Sequence, residues 1–218
     1  MKNLISIFLI FILMSCSSTQ LVNNWKNPDI DTFEPTKILI IGMTSNKNAR
    51  RKFERKLKEE YLSRGIEAIT SLEMFGKSFN DDKKSETELK EIEDKLTNDG
   101  FDSILFTKVI GVEDKIMFSE EYADFENTHR RFRDDYYTNQ DIYYNRKYYE
   151  KYKIYHAETS LYCICSGEER DLIWKGYIDI IDPSSIKETV DDYINLVIFV
   201  LEEQQLINKK VPEENVVL

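Results

Sequence analysis

The chain has 218 residues and a formal net charge of −10, with 40 acidic against 30 basic side chains. Such a balance counts against nucleic-acid binding, which draws its affinity from clustered Lys and Arg that displace counterions from phosphates. The length suits one domain with a full core and is too short to expect two.

At the N-terminus Lys2 precedes a mostly apolar run from Leu4 to Met14. As a helix this run would rise only about 16 Å, roughly half the hydrocarbon thickness of a bilayer, so it reads as a secretory h-region and not as a membrane span. Leu13-Met14-Ser15-Cys16 resembles a bacterial lipobox. The resemblance implies a signal peptide over 1–15, cleavage before Cys16, and lipid on the sulfur and new amine of Cys16. Several acyl chains anchor a protein stably without a spanning helix. The alternative is an ordinary signal peptide with a coincidental cysteine. By resemblance to Gram-negative lipoproteins, Ser17 in place of an acidic residue implies the outer membrane, and the lack of an acidic cluster after Cys16 implies its periplasmic face.

Residues 16–36, polar and carrying Pro28 and Pro35, read as a lipidated tether, with Trp25 free to pack on the domain's flank. The domain is expected over 37–208. It opens with the continuously apolar KILIIGM, the pattern of a strand covered on both faces. Ser45 or Asn46 can cap the next helix, where Ala49, Phe53, Leu57 and Tyr61 recur on one side until Gly65. IEAIT gives a second strand. Ser85 and Glu88 form a capping box for a second helix striped by Leu89, Ile92 and Leu96 and ending near Gly100, and DSILFTKVIGV is the third strand. This strand-helix alternation argues for parallel pairing.

Further on, KIYHAETSLYCICS and DLIWKGYIDII flank the turn-prone SGEER, hence an antiparallel hairpin. Leu172, Trp174, Ile178 and Ile180 fall on one face of its second strand, and Lys175, Tyr177 and Asp179 on the other. After Pro183, Ser184 or Ser185 caps a last helix whose Ile186, Val190, Tyr193, Ile194, Val197 and Leu201 face the sheet. The expected fold is therefore α/β with α+β character: a mixed sheet of about five strands, βαβαβ followed by a hairpin and a C-terminal helix. Residues 209–218 read as a loose tail.

Three stretches, SSTQLVNNWKNPD, KILIIGMTSNKNARRKFERKLKEEYLSRGIEA and AETSLYCICSGEERDLIWKGYIDIIDPSS, together resemble a family of Bacteroidota periplasmic lipoproteins. That resemblance implies an α/β fold similar to the N-terminal domain of TolB and an envelope location. It implies no activity, and a partner-binding or assembly role only by analogy. The chain departs from the family's Gly- and Tyr-bearing loop, which here is heavily charged and lacks glycine.

That loop, roughly 114–151, is the main compositional anomaly: eight of the thirteen tyrosines lie between Tyr122 and Tyr152. Tyrosine supplies large amphipathic contact area, so Tyr136, Tyr137, Tyr143, Tyr144, Tyr148 and Tyr149 are candidate partner-binding residues for an envelope protein or a glycan. Packing under a charged hairpin, with Arg130, Arg131 and Arg133 paired to Glu126, Asp134 and Asp135, is the alternative.

Catalytic patterns are weak. There is no G-x-S-x-G elbow, and His156 sits beside Glu158 in a strand pattern. GMTSNKNAR lacks the second glycine and the Lys-Ser/Thr pair of a phosphate loop, so strand end and helix cap explain it. His129 among Glu126, Asp134 and Asp135 reads as a solvated charged face before it reads as a metal ligand. Cys163 and Cys165 read as two small buried thiols, with a redox or metal role as the alternative. The expectation is an accessory protein without catalysis, cofactor or metal, partnered with the membrane through its lipid. The rival is an envelope hydrolase or metal-dependent enzyme, whose mark would be a concave polar pocket at His156 or His129.

Overall fold

The computed structural model describes residues 18–76, 79, 83–118, 132–133, 136, 149–164 and 171–210. Their strands are β1 (Thr19–Lys26), β2 (Lys37–Met43), β3 (Glu67–Thr70), β4 (Ser103–Phe118), β5 (Tyr149–Cys163) and β6 (Leu172–Ile181). The helices are α1 (Lys47–Leu62), α2 (Ser71–Phe75), α3 (Glu86–Asn98) and α4 (Ile186–Glu203). One mixed sheet runs β1-β6-β5-β4-β2-β3. Strand β2 is parallel to β3 and β4, and the pairs β4/β5, β5/β6 and β6/β1 are antiparallel. The α/β class and its parallel-then-hairpin order stand as expected, with six strands in place of about five.

Helices α1 and α4 share one face of the sheet. Phe53, Leu57 and Tyr61 from α1, with Val190, Tyr193, Ile194, Val197 and Leu201 from α4, bury against Ile38, Ile40, Leu105, Leu161, Trp174 and Ile178. On the opposite face Leu96 of α3 packs with Leu39, Phe101 and Ile164. β2 therefore contributes Ile38 and Ile40 to one cluster and Leu39 to the other, which is why its sequence is apolar without alternation.

The caps follow the sequence. The Asn46 side chain accepts from the Asn48 and Ala49 amides, Ser85 and Glu88 close a reciprocal box, and Ser185 accepts from the Glu188 amide. α1 and α3 stop where Gly65 and Gly100 adopt φ of +78° and +81°.

Several expectations are corrected. Within the expected tether, residues 19–26 form edge strand β1, which pairs along β6 from Thr19↔Ile180 to Lys26↔Trp174. Leu21 packs on the larger core and so holds β1 there. The flanks of the expected loop at 114–151 are strand, because β4 runs on to Phe118 and β5 begins at Tyr149. Leu89 and Ile186, assigned to buried stripes, are exposed; α3 buries only Leu96, and Ile186 lies in the first turn of α4 at the rim of a cleft. Cys163, read as a free thiol, is disulfide-bonded. SGEER and Cys165 lie outside the described residues, as does most of the tail. No helix among the described residues is long and apolar enough to cross a membrane.

Candidate functional site

Strands β4 and β5 outrun their neighbours. β2 ends opposite Lys108, where Met43 pairs with it, and β6 ends opposite Ile154, where Ile181 pairs with it. β4 and β5 nonetheless stay paired from Asp114↔Lys153 to Phe118↔Tyr149, so a two-stranded arm projects with no third strand among the described residues. A register shift between Val109 and Gly111 marks its root, and such irregularities bend and twist a strand pair. The arm's surface is charged. Lys153 Nζ lies 2.6 Å from Asp114 Oδ1, and Lys115 pairs with Glu113. The hydrogen bond from Lys153 and its charge hold the Asp114 carboxyl below its usual range, and Asp114 in turn raises Lys153. Being in open solvent, these pairs contribute little to stability.

Beside the arm's root opens a cleft of about 1030 Å³ at the C-terminal end of β2. Its rim combines the first turns of α1 and α4 (Asn46, Lys47, Ser185, Ile186) with Val109, Val112 and Tyr155 of the strand pair. A narrower recess of about 110 Å³ continues inward past Phe53, Thr107 and Tyr193.

The floor is a closed polar network. Glu54 Oε1 accepts from Arg50 Nε at 2.9 Å, Ser71 Oγ at 2.7 Å and the Gly42 amide at 3.0 Å, while Oε2 accepts from the Leu72 amide at 3.1 Å. Arg50 also donates to Ser71 Oγ at 2.8 Å. Both charged side chains are buried, and the network ties α1 to the ends of β2 and β3. In the wall, the Thr107 and Thr159 hydroxyls lie 2.7 Å apart and Thr159 lies 2.8 Å from the Tyr193 hydroxyl. Burial raises the Tyr193 phenol well above its ordinary value, so it stays protonated. These groups satisfy one another, while the buried Thr189 hydroxyl, which lines both the cleft and the recess, has no hydrogen-bond partner among the described residues.

Several exposed apolar residues stand here. Met43, Val109, Val112, Ile116 and Ile186 all stand at this end and are all solvent-exposed. Their signal in the sequence was the run from Val109 to Phe118, whose apolar residues continue past Gly111 among Glu113, Asp114 and Lys115. A second, apolar cavity of about 700 Å³ lies under α3, between Leu89, Ile92 and Leu96 and the sheet residues Ile41, Ile104 and Phe106.

The sequence candidates fall as follows. Tyr136 is exposed, its ring 5.8 Å from that of Phe132. Tyr149 is the first residue of β5, opposite Phe118. Tyr137, Tyr143, Tyr144, Tyr148, His129 and Cys16 lie outside the described residues. His156 lies on the sheet face away from α1 and α4, where its Nδ1 is 2.6 Å from Asp179 Oδ1. Its Nε2 is 3.5 Å from Glu113, an ion-pair distance without hydrogen-bond geometry. It lines none of the three cavities described. Glu158 pairs with Lys108 at 3.0 Å and Lys175 at 3.4 Å, so its neighbour His156 has Asp179, not Glu158, as its partner. Among the described residues no three His, Cys, Asp or Glu side chains gather as metal ligands would.

No protein-family model matches the sequence, and no curated protein matches it. Among solved structures, the chain is similar to the PelC dodecamer from Paraburkholderia phytofirmans, at 9% identity over 86% of this chain and 98% of that one, with a TM-score of 0.42. It is also similar to lipoprotein GNA1162 from Neisseria meningitidis, at 11% identity over 78% of this chain and 99% of that one, with a TM-score of 0.42.

Proposed function

We propose that this chain is a lipoprotein anchored through Cys16 to the periplasmic face of the outer membrane, where it acts as a binding or assembly accessory and not as a catalyst. The observation that carries the binding role is the β4–β5 arm. A strand pair leaves the sheet with none of its described side chains from 113–116 and 151–153 in either core, exposes Ile116, and leads directly into the tyrosine-rich segment. Contact surface built on aromatic and apolar residues is how protein and glycan partners are held. Tyr136, Tyr137, Tyr143, Tyr144, Tyr148 and Tyr149 are the residues assigned to it. The rival hydrolase or metal enzyme would be expected to set His156 in a cavity, whereas its imidazole is engaged by Asp179 on the sheet surface.

The test replaces residues 119–148 with a short Gly-Ser connection. Changing the loop's length alters closure entropy by only roughly 1 kcal/mol, so the domain should melt cooperatively near the parent temperature while capture of envelope partners is lost. Retained capture, or collapse of the fold, would each refute the assignment. For the anchor, incorporation of an alkyne fatty acid should vanish in Cys16→Ala.

A further inference from the structure

The sheet register places the N-terminus at the same end as the cleft and the arm. Thr19 pairs with Ile180, Ile180 with Tyr155, and Tyr155 with Val112, so all four lie at one level across the sheet. Ser18 is fixed there as well: its carbonyl accepts from the Ile181 amide at 2.7 Å, and its own amide donates to Asp192 Oδ2 at 3.2 Å. Going backwards from Thr19, the chain leaves the sheet on the arm's side.

Two lengths can then be compared. Cys16 precedes Thr19 by three residues, which span at most about 10 Å when fully extended. From Val112 to Phe118 the arm runs six residues beyond the same level, about 20 Å. A lipid on Cys16 therefore cannot hold the domain far enough from the bilayer for the arm to clear it. The exposed apolar residues Met43, Val112, Ile116 and Ile186 lie at this same end, and aliphatic surface gains roughly 25 cal/mol per Å² on leaving water for an acyl boundary. Lys151, opposite Ile116, and Lys153, opposite Asp114, have stems long enough to lie along the interface with their ammonium groups in water.

We infer that the cleft end of the domain is its bilayer-facing side, with the arm, bent at the Val109/Gly111 register shift, laid along the headgroup layer of a phospholipid membrane through Val112 and Ile116, so that Asp114 and Lys153 stay in water. This rests on lipidation of Cys16. It deepens the proposed function, because partners of the arm are then to be sought at the membrane surface. The far end of the domain, where α1 terminates at Leu62, points into the periplasm.

The experiment uses the full mature lipoprotein, purified from envelopes and reconstituted into phosphatidylcholine vesicles with or without brominated acyl chains. Tryptophan is introduced by Ile116→Trp or Val112→Trp at the inferred contact, and by Leu62→Trp at the opposite end; all three sites are exposed, and unchanged thermal melting confirms folding. The signal of the unsubstituted chain, which carries Trp25 and Trp174, is subtracted. In the Ile116→Trp chain brominated lipid should remove about half or more of the added fluorescence, as for an indole within the ~5–10 Å interfacial layer, and in the Leu62→Trp chain almost none. Equal quenching at both ends overturns the orientation, as does its absence at Ile116 and Val112, the result expected if a protein partner covers this face. Intact mass separates the two ideas: a chain without acyl mass overturns the anchor and the orientation together, whereas acyl mass without quenching overturns the orientation alone.

Discussion

The two ends of the sheet are built on opposite terms. At the end away from the arm, polar groups are spent on the chain's own backbone. Asp102 accepts from the Thr36 amide at 2.7 Å and from its hydroxyl, and from Ser103 Oγ at 2.9 Å, while its amide and carbonyl bond Lys37 and Ile164. Arg64 bridges Glu60 on α1 to Glu202 on α4. Glycines in the left-handed region turn the chain sharply there. At the arm end the polar groups are sunk into the floor and aliphatic side chains stand in water. An end that bonds to itself contributes stability. The arm end instead leaves Val112, Ile116 and Ile186 uncovered, at roughly 25 cal/mol per Å² of contact forgone.

The largest effect is expected from breaking the floor of the open end. Glu54→Ala leaves the Arg50 guanidinium buried without its counter-charge and should cost about 3–5 kcal/mol in urea unfolding. A loss below about 1 kcal/mol would mean that the network does not organise this end. Next comes the closed end: Asp102→Ala strands the Thr36 and Ser103 donors and should cost about 1.5–3 kcal/mol by the same measurement.

Acid should weaken the middle of the sheet by less. Burial pushes the Glu158 carboxyl up, but hydrogen bonding and charge from Lys108, with Lys175 adding to both, outweigh it and leave the group below its ordinary value. Its contribution is thus full above the unfolded carboxylate range, near pH 4–5, and is lost as pH falls through the lower folded value. Melting temperature should drop across that window, with a shallower drop in Lys108→Met; identical slopes would remove Glu158 from the account. The smallest effect is expected at the arm, where Ile116→Asn should shift stability by under about 0.5 kcal/mol while weakening contact with vesicles. A stability loss comparable to that of Asp102→Ala would erase the contrast between the two ends.

What the sequence disclosed follows from which elements carry a periodic burden. β2 is covered on both faces, α1 and α4 bury one stripe each, and β6 alternates Trp174 and Ile178 against Lys175 and Tyr177, so each could be read locally. β1 could not. It is an edge strand with a register shift between Leu21 and Asn23, so alternation is broken midway and only Leu21 reaches the core; Trp25, opposite Lys175, is left exposed. Its partner lies at the far end of the chain. The arm was hidden for a related reason, since a strand pair solvated on both faces needs no alternation. Helix α2 did have a signal, the capping box from Thr70 to Glu73, but at five residues it offered no stripe to confirm it. Gly176 was legible only as a glycine. Its reason is tertiary: a Cβ there would stand 2.3 Å from the ring of buried Trp174. Composition drew attention to the tyrosines and not to the cleft, whose aliphatic rim arises only when β2, β4 and the first turns of two helices converge.

The pairing of β1 with β6 also has a kinetic side. The first strand to be synthesised can find its place only after the last one exists, because Thr19 docks on Ile180. Closing so long a loop is entropically costly and comes after the local strand-helix units have formed. Strand β1 is thus expected to be the last to join the sheet, and pulse-labelled hydrogen exchange should find the β1 amides protected later than those of β2 and β4.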